Sequence, residues 1–263
     1  MTSLIRFTAG FVAIGAIAFA HATEVRVTVT NLAPTQGTFL TPVWFGFHNG
    51  GFDIYDNGTP SSMGLERIAE DGSVGPIGSA FTASGFGEAQ GVLNGLGPIG
   101  PGASTSKTAT ISLAGRFFSY ASMVIPSNDA FIANGNPLAF DLFDGVGNFV
   151  GADFVVLGSN VLDAGTEVND EIPANTAFFG QATPNTGADE NGVVRLHPGF
   201  NPVGSGGILD SSMFANADFH QTGYQIARIQ VEVVPEPATV VCMAIGLAGL
   251  VSRRRKHARP PLA

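Results

Sequence analysis

Two stretches in the middle of the chain carry the residue types that could do chemistry. Pro126-Ser127-Asn128-Asp129-Ala130-Phe131 follows directly on an apolar run that ends at Ile125. Downstream, Asp163, Glu167, Asp170 and Glu171 place four carboxylates in nine positions. Charges this close repel one another unless something neutralises them. Ca2+ is suited to the task, because it takes about six to eight oxygens from carboxylates, carbonyls and water. Gly165 lets the backbone curl between Asp163 and Glu167, so that both carboxylates and a loop carbonyl can converge. A solvated acidic loop with Asx turns is the commoner fate of such residues, and the residue types alone leave both readings open.

Other chemistry-bearing residues are less organised. Asp141 and Asp144 flank Leu142-Phe143 before Gly145 and read as a strand end and a turn. His197-Pro198-Gly199 reads as a loop turn, and His48 as the end of a Phe-rich strand. His220 has Asp218 close by, but two residues make no triad. The serines lack a Gly-x-Ser-x-Gly elbow. There is no Gly-rich phosphate loop with lysine, no His-Glu-x-x-His and no Cys-x-x-Cys.

The elements that must position these residues are strands. Glu24 to Thr30 alternates charged or hydroxyl residues with valine, and Tyr224 to Val233 repeats the pattern at the far end. These two segments are expected in one sheet, closing the domain on itself. Between them, strands are expected at 41–48, 108–114, 117–125, 137–143 and 152–157, separated by Gly-Pro, Asn-Gly and Asp-Gly turns. Ser61 to Gly72 breaks the pattern: Leu65, Ile68 and Ala69 share one helical face, a serine can cap the start, and Gly72 can stop it. A long connection is expected from Gly72 to Ser106. Short strands with Gly-rich connections predict an all-β antiparallel sandwich with one short helix.

Composition supports a folded body. Of 263 residues, 44% are hydrophobic and 13% charged, too apolar for a disordered chain. Phe is the main aromatic, at 21 against one Trp and three Tyr, and carries much of the core. Six of the 12 basic residues lie in the first ten or the last eleven positions, whereas all 21 acids lie between Glu24 and Glu236. The body is therefore strongly acidic, which disfavours nucleic acid and suits divalent cations. Its only cysteine, Cys242, lies outside the body, so no disulfide is expected there. A body of this size can be stable on its core alone, as a monomer.

Both ends read as processing signals. Arg6, the apolar stretch Phe7 to Ala20 and the site Ala20-His21-Ala22 predict a signal peptide over 1–22, cut by signal peptidase. The sandwich domain is then 23–233. The region 234–263 holds Pro235-Glu236-Pro237, an apolar run over 238–251 and Arg253-Arg254-Arg255-Lys256. As a helix that run is about 21 Å long, short for a hydrocarbon core of roughly 30 Å, although the arginines can snorkel. Their position on the distal side predicts that this end is cytoplasmic.

The order and spacing of these three parts resemble the PEP-CTERM sorting tail of exopolysaccharide-producing Gram-negative bacteria. The resemblance implies transient anchoring in the inner membrane through 238–251. Cleavage by an exosortase and release or transfer to the cell surface or matrix would follow. The tail is an address and says nothing of the body's chemistry.

The body itself resembles the spondin N-terminal domain. The resemblance rests on Pro126-Ser127-Asn128-Asp129-Ala130-Phe131 and Asp163-Ala164-Gly165-Thr166-Glu167. It is supported by the Pro42-Val43-Trp44-Phe45 strand, the Leu65 to Gly72 helix and Ala227-Arg228-Ile229. Ala130 stands where the family pattern has Trp, and Glu167 where it has Asp. The resemblance implies a C2-like β-sandwich binding one Ca2+ through Asp129, Asp163 and Glu167. It also implies a non-enzymatic, structural or adhesive protein whose partners are exopolysaccharide or surface proteins. A carbohydrate- or lipid-binding module on the same sandwich is the alternative, and a secreted hydrolase using two of the acids is the third.

Overall fold

A computed structural model describes residues 22–235. The signal segment and the apolar tail lie outside the described residues. In chain order the strands are β1 (Thr23–Asn31), β2 (Phe39–Leu40), β3 (Val43–His48), β4 (Gly87–Leu93), β5 (Ser104–Ile111), β6 (Phe117–Ile125), β7 (Ala130–Ala133), β8 (Ala152–Leu157), β9 (Leu162–Asp163), β10 (Arg195–Leu196) and β11 (Gln225–Val233). Two helices, α1 (Met63–Asp71) and α2 (Gly75–Ser84), lie between β3 and β4.

The valines of β1 are buried at alternate positions, and they build one wall of the core. β1 pairs antiparallel with β11 from Val25↔Val233 to Asn31↔Ala227, so the two ends of the domain close on each other. This four-stranded sheet runs β5-β1-β11-β8. The second sheet runs β10-β9-β7-β6-β3-β4, with β2 added alongside β6. Val27, Val29, Ile229 and Val231 from the first sheet meet Phe45, Phe47, Phe118 and Tyr120 from the second. The fold is therefore an all-β antiparallel sandwich.

The outer face of the second sheet is covered by the helices. Trp44, Phe52, Leu65, Ile68, Ile77 and Phe81 form this separate apolar layer. Ser62 caps α1 by accepting from the Leu65 N–H, and Gly72 ends it at φ 65°. A β-carbon on Gly72 would also stand 2.6 Å from the Thr41 side chain, so both conformation and space require glycine.

Three sequence expectations change. The 72–106 connection contains α2 and β4. Neither was legible, because α2 carries two glycines and β4 has glycine at both Gly87 and Gly91 with one β-branched residue. The predicted strand 137–143 is a turn followed by isolated bridges: Asn136 accepts from the Leu138 N–H and directs the chain outward. On the side away from β3, the regular partner of β6 is β7, from Ala121↔Ala133 to Met123↔Phe131, while 137–143 meets it only at the Phe117↔Asp141 bridge. The predicted strand at 108–114 also begins earlier and ends earlier, at Ser104–Ile111.

The topology separates two ends. Thr23, Ile111 and Val233 lie together, and a short connection from Ile111 places Phe117 there too. β6 then crosses the sandwich, so Ile125 and the loop after it lie at the opposite end, about 30 Å away for a nine-residue strand.

Candidate metal centre

That loop begins with a cis Ile125-Pro126 bond and is tied by Ser127, whose hydroxyl donates to Val124 O and accepts from the Ala130 N–H. Asp129 is thus fixed immediately before β7. Asp163 ends β9, whose Asp163 pairs directly with Ala130 of β7 on one side and with Arg195 of β10 on the other. Three consecutive strand ends therefore bring Asp129, Asp163 and Arg195 together. Both aspartates are wholly buried.

One carboxylate oxygen from each of Asp129, Asp163 and Glu190 lies within 4.8 Å of the other two. Asp129 Oδ2 accepts from the Thr166 N–H at 2.8 Å and the Glu167 N–H at 3.2 Å, while its Oδ1 is buried with no partner. Asp163 Oδ1 accepts from the Gly165 N–H at 2.6 Å. Its Oδ2 accepts from Asn169 Nδ2 at 2.8 Å and Arg195 Nη2 at 3.2 Å. Glu190 Oε1 accepts from the same Arg195 nitrogen at 2.5 Å, and its Oε2 is buried without a partner. One guanidinium thus pairs with two of the three carboxylates, and two oxygens remain unmet. Burial first, and then the neighbouring Asp163, push the Asp129 carboxyl up to about 7. Burial raises Asp163 as well, against the pull of the Gly165 N–H and Arg195.

Glu167 lies next to this group but does not join it. Its Oε1 accepts from the Gly187 N–H at 3.0 Å, and its Oε2 is buried with no partner. Burial first, then Glu70, push it up to about 8. Glu70, buried on α1, is itself raised to about 7, chiefly by burial. The third oxygen of the cluster belongs to Glu190.

The acidic run 163–171 disperses in the fold. Asp170 accepts from Asn128 Nδ2, Asn175 Nδ2 and the Ile172 N–H. Glu171, also buried, clamps a distant loop through the Asn201 and Ile208 N–H groups. Asp144 closes a turn by accepting from the Val146 and Asn148 N–H groups, and Asp141 pairs with Arg116. His48 is buried between Ser119 and the Gly50 N–H, and burial lowers it to about 4. His197 is held between Asn169 and the Gly199 N–H.

Glu190 had no signal in the sequence beyond its place in a Gly- and Asn-rich stretch, Gly187 to Gly192. It reaches the site because the Gly192 N–H bonds Gly165 O at 2.7 Å and the Glu190 N–H bonds Thr166 O at 2.9 Å. These bonds fold the loop back over Asp163. Gly165 permits the return: its φ is 68°, and a β-carbon there would stand 2.5 Å from Val193 N.

The donor set fits a hard cation. All converging atoms are carboxylate oxygens, and Asp129 and Glu190 each keep one buried oxygen without a partner.

Residues 233–256 match the PEP-CTERM protein-sorting motif. The motif marks a secreted protein that an exosortase processes and sorts to the cell surface. No curated protein matches the chain. Among the described residues no helix is long and apolar enough to cross a membrane.

Proposed function

We propose that the body is a non-enzymatic, spondin-like domain stabilised by one Ca2+, with a structural or adhesive role at the cell surface or in the surrounding matrix. The observation that carries this reading is the convergence of one carboxylate oxygen each from Asp129, Asp163 and Glu190, two of which residues also carry a buried oxygen with no hydrogen-bond partner, Asp129 Oδ1 and Glu190 Oε2. Leaving a buried carboxylate oxygen unmet is unfavourable, and a cation would satisfy both at once. Asp129, Asp163 and Glu190 would hold the ion, with Arg195 balancing part of the charge. The bound ion would supply charge neutralisation and would cross-link the ends of β7, β9 and β10. Wholly buried aspartates suit a structural ion better than an acid–base pair flanking a substrate bond. A protein sorted to the cell surface would be exposed to divalent cations from outside the cell. The tail leaves from the Val233 end, so the acidic end of the sandwich would face away from the membrane before cleavage.

The test is a set of thermal melts with calcium and with chelator. The wild type should gain stability by RT ln(1 + [L]/Kd), about 2.7 kcal/mol at a hundredfold excess over Kd. Asp163→Asn and Glu190→Gln should lose most of that gain, Glu167→Gln should keep most of it, and Asp144→Asn should keep all of it. Mg2+ should substitute poorly, because it demands a tighter octahedron. A wild-type melt that is indifferent to chelator would overturn the assignment.

A further inference from the structure

A second site lies at the open side of the sandwich, where the edge strand β8 of one sheet faces β9 and β10 of the other. The cleft there has a volume of about 490 Å3, in the range of small-molecule sites. Phe140 and Phe154 are stacked on its wall, with ring centroids 4.0 Å apart and planes 14° from parallel. Tyr120 packs against both rings, at 6.2 Å and 5.5 Å. Tyr55 enters from the loop before α1, its ring held edge-on by Phe131. Two of the chain's three tyrosines therefore meet in one cleft.

Three polar side chains of this cleft, Tyr55, Tyr120 and Asn160, have no hydrogen-bond partner among the described residues. Tyr120 is only 5% exposed and its hydroxyl has no hydrogen-bond partner among the described residues, nor has that of Tyr55; neither oxygen is fully buried, so both open onto the cleft. The third tyrosine, by contrast, is paired: the Tyr224 hydroxyl accepts from the Thr38 N–H at 3.0 Å and shares a hydrogen bond with the Thr38 hydroxyl at 3.2 Å. Asn160, at the rim, has no partner for its amide, whereas Asn134 deeper in is fully used by the Tyr120 N–H, Ser119 and Asn136 O. No charged side chain lines the cleft. Burial, with Tyr55 next, raises the Tyr120 phenol, so it remains a protonated donor at neutral pH.

We infer that this cleft binds a single neutral sugar ring, with Phe154 and Tyr55 against its C–H face and the Tyr55, Tyr120 and Asn160 polar groups on its hydroxyls. The absence of lining charge argues against an acidic or basic ligand. A purely apolar ligand would bury two phenol hydroxyls without partners, which is unfavourable. A pyranose has an apolar face, and hydroxyls that both donate and accept, and so answers both requirements. The ring is either a free saccharide or one unit of a polysaccharide. The cleft shares no lining carboxylate with the metal centre, so the inference stands apart from the calcium reading.

The experiment uses the purified full chain and ligand-observed NMR with calorimetry. The probes are the methyl glycosides of glucose, galactose, mannose and N-acetylglucosamine, and linear oligosaccharides of the same units. At least one glycoside should bind, with saturation transfer strongest on its ring C–H protons. Tyr120→Phe keeps the ring and removes only the hydroxyl. It should melt like the wild type and weaken binding about tenfold. Asn160→Ala, at the exposed rim, should weaken it severalfold. Binding should survive chelation of calcium. An oligosaccharide that binds at least tenfold tighter than its monomer assigns the cleft to a polysaccharide, and equal affinity assigns it to a free sugar or a chain end. If no glycoside or oligosaccharide binds, if Tyr120→Phe binds as the wild type does, or if decanol binds in their place, the inference is overturned.

Discussion

Metal-free protein should become less stable as the pH rises from 5 to 8, the reverse of a protein whose carboxylates are held by salt bridges. The reason lies in Asp129. Its carboxyl is wholly buried beside Asp163 and is raised from 3.8 to about 7. A group with a raised native pKa holds its proton more tightly in the folded state. Its stabilisation is complete below the unfolded value and is lost as the pH climbs through the folded value. From pH 5 to about 7 that is two units, at ~1.4 kcal/mol each, or about 3 kcal/mol. For a domain of this size the loss corresponds to a fall in Tm of about 6–12 °C. Glu70 and Glu167 shift in the same direction, but they interact with one another, so their contributions do not add. Calcium should remove Asp129's share of the slope, because the ion favours its charged form at every pH in the range. Asp129→Asn should flatten the metal-free slope and also remove the response to calcium. The assay is a series of melts of the dialysed, metal-free protein from pH 5 to 8, repeated with saturating calcium. A metal-free Tm that is level or rises across that range would refute the reasoning, since it would mean that Asp129 is not held protonated by burial.

Gly165→Ala should lower the Tm by several degrees and erase the calcium response, because the new β-carbon meets Val193 backbone atoms at 2.5 and 2.6 Å; calorimetry with and without calcium checks this. Deleting 224–233 should unfold the domain rather than trim it, since β11 lies between β1 and β8 and buries Ile226, Ile229 and Val231; a native-like circular dichroism spectrum after the deletion would contradict this. The protein recovered from its own host should begin near Thr23 and end near Pro235 to Pro237. Intact mass decides the matter, and a mature species that retains Arg253 to Lys256 would count against processing of the tail.

Much of this protein could be read from local pattern. The alternation in 24–30 and 224–233 is a statement about which side chains face a core, and it specified two strands that the fold indeed pairs. Ser62 and Gly72 delimit α1 because capping and a left-handed stop are local chemistry. Asp144 in a turn is equally local. The sorting tail could be read because its motif, apolar run and basic cluster are consecutive. What depends on distant chain segments was not legible. Asp163, Glu167, Asp170 and Glu171 look alike in the sequence, yet only Asp163 faces Asp129, because only it sits on β9 between β7 and β10. Glu190 joins it through a loop that folds back on two backbone hydrogen bonds. β4, rich in glycine, is a strand because β3 offers it an edge to pair with, not because its residues favour extension. Tyr55 and Tyr120, 65 positions apart, become one cleft only when the two sheets pack. Local pattern decided β1, β11 and α1. Which carboxylates and which phenols meet was decided by strand order, a property of the assembled sheets alone.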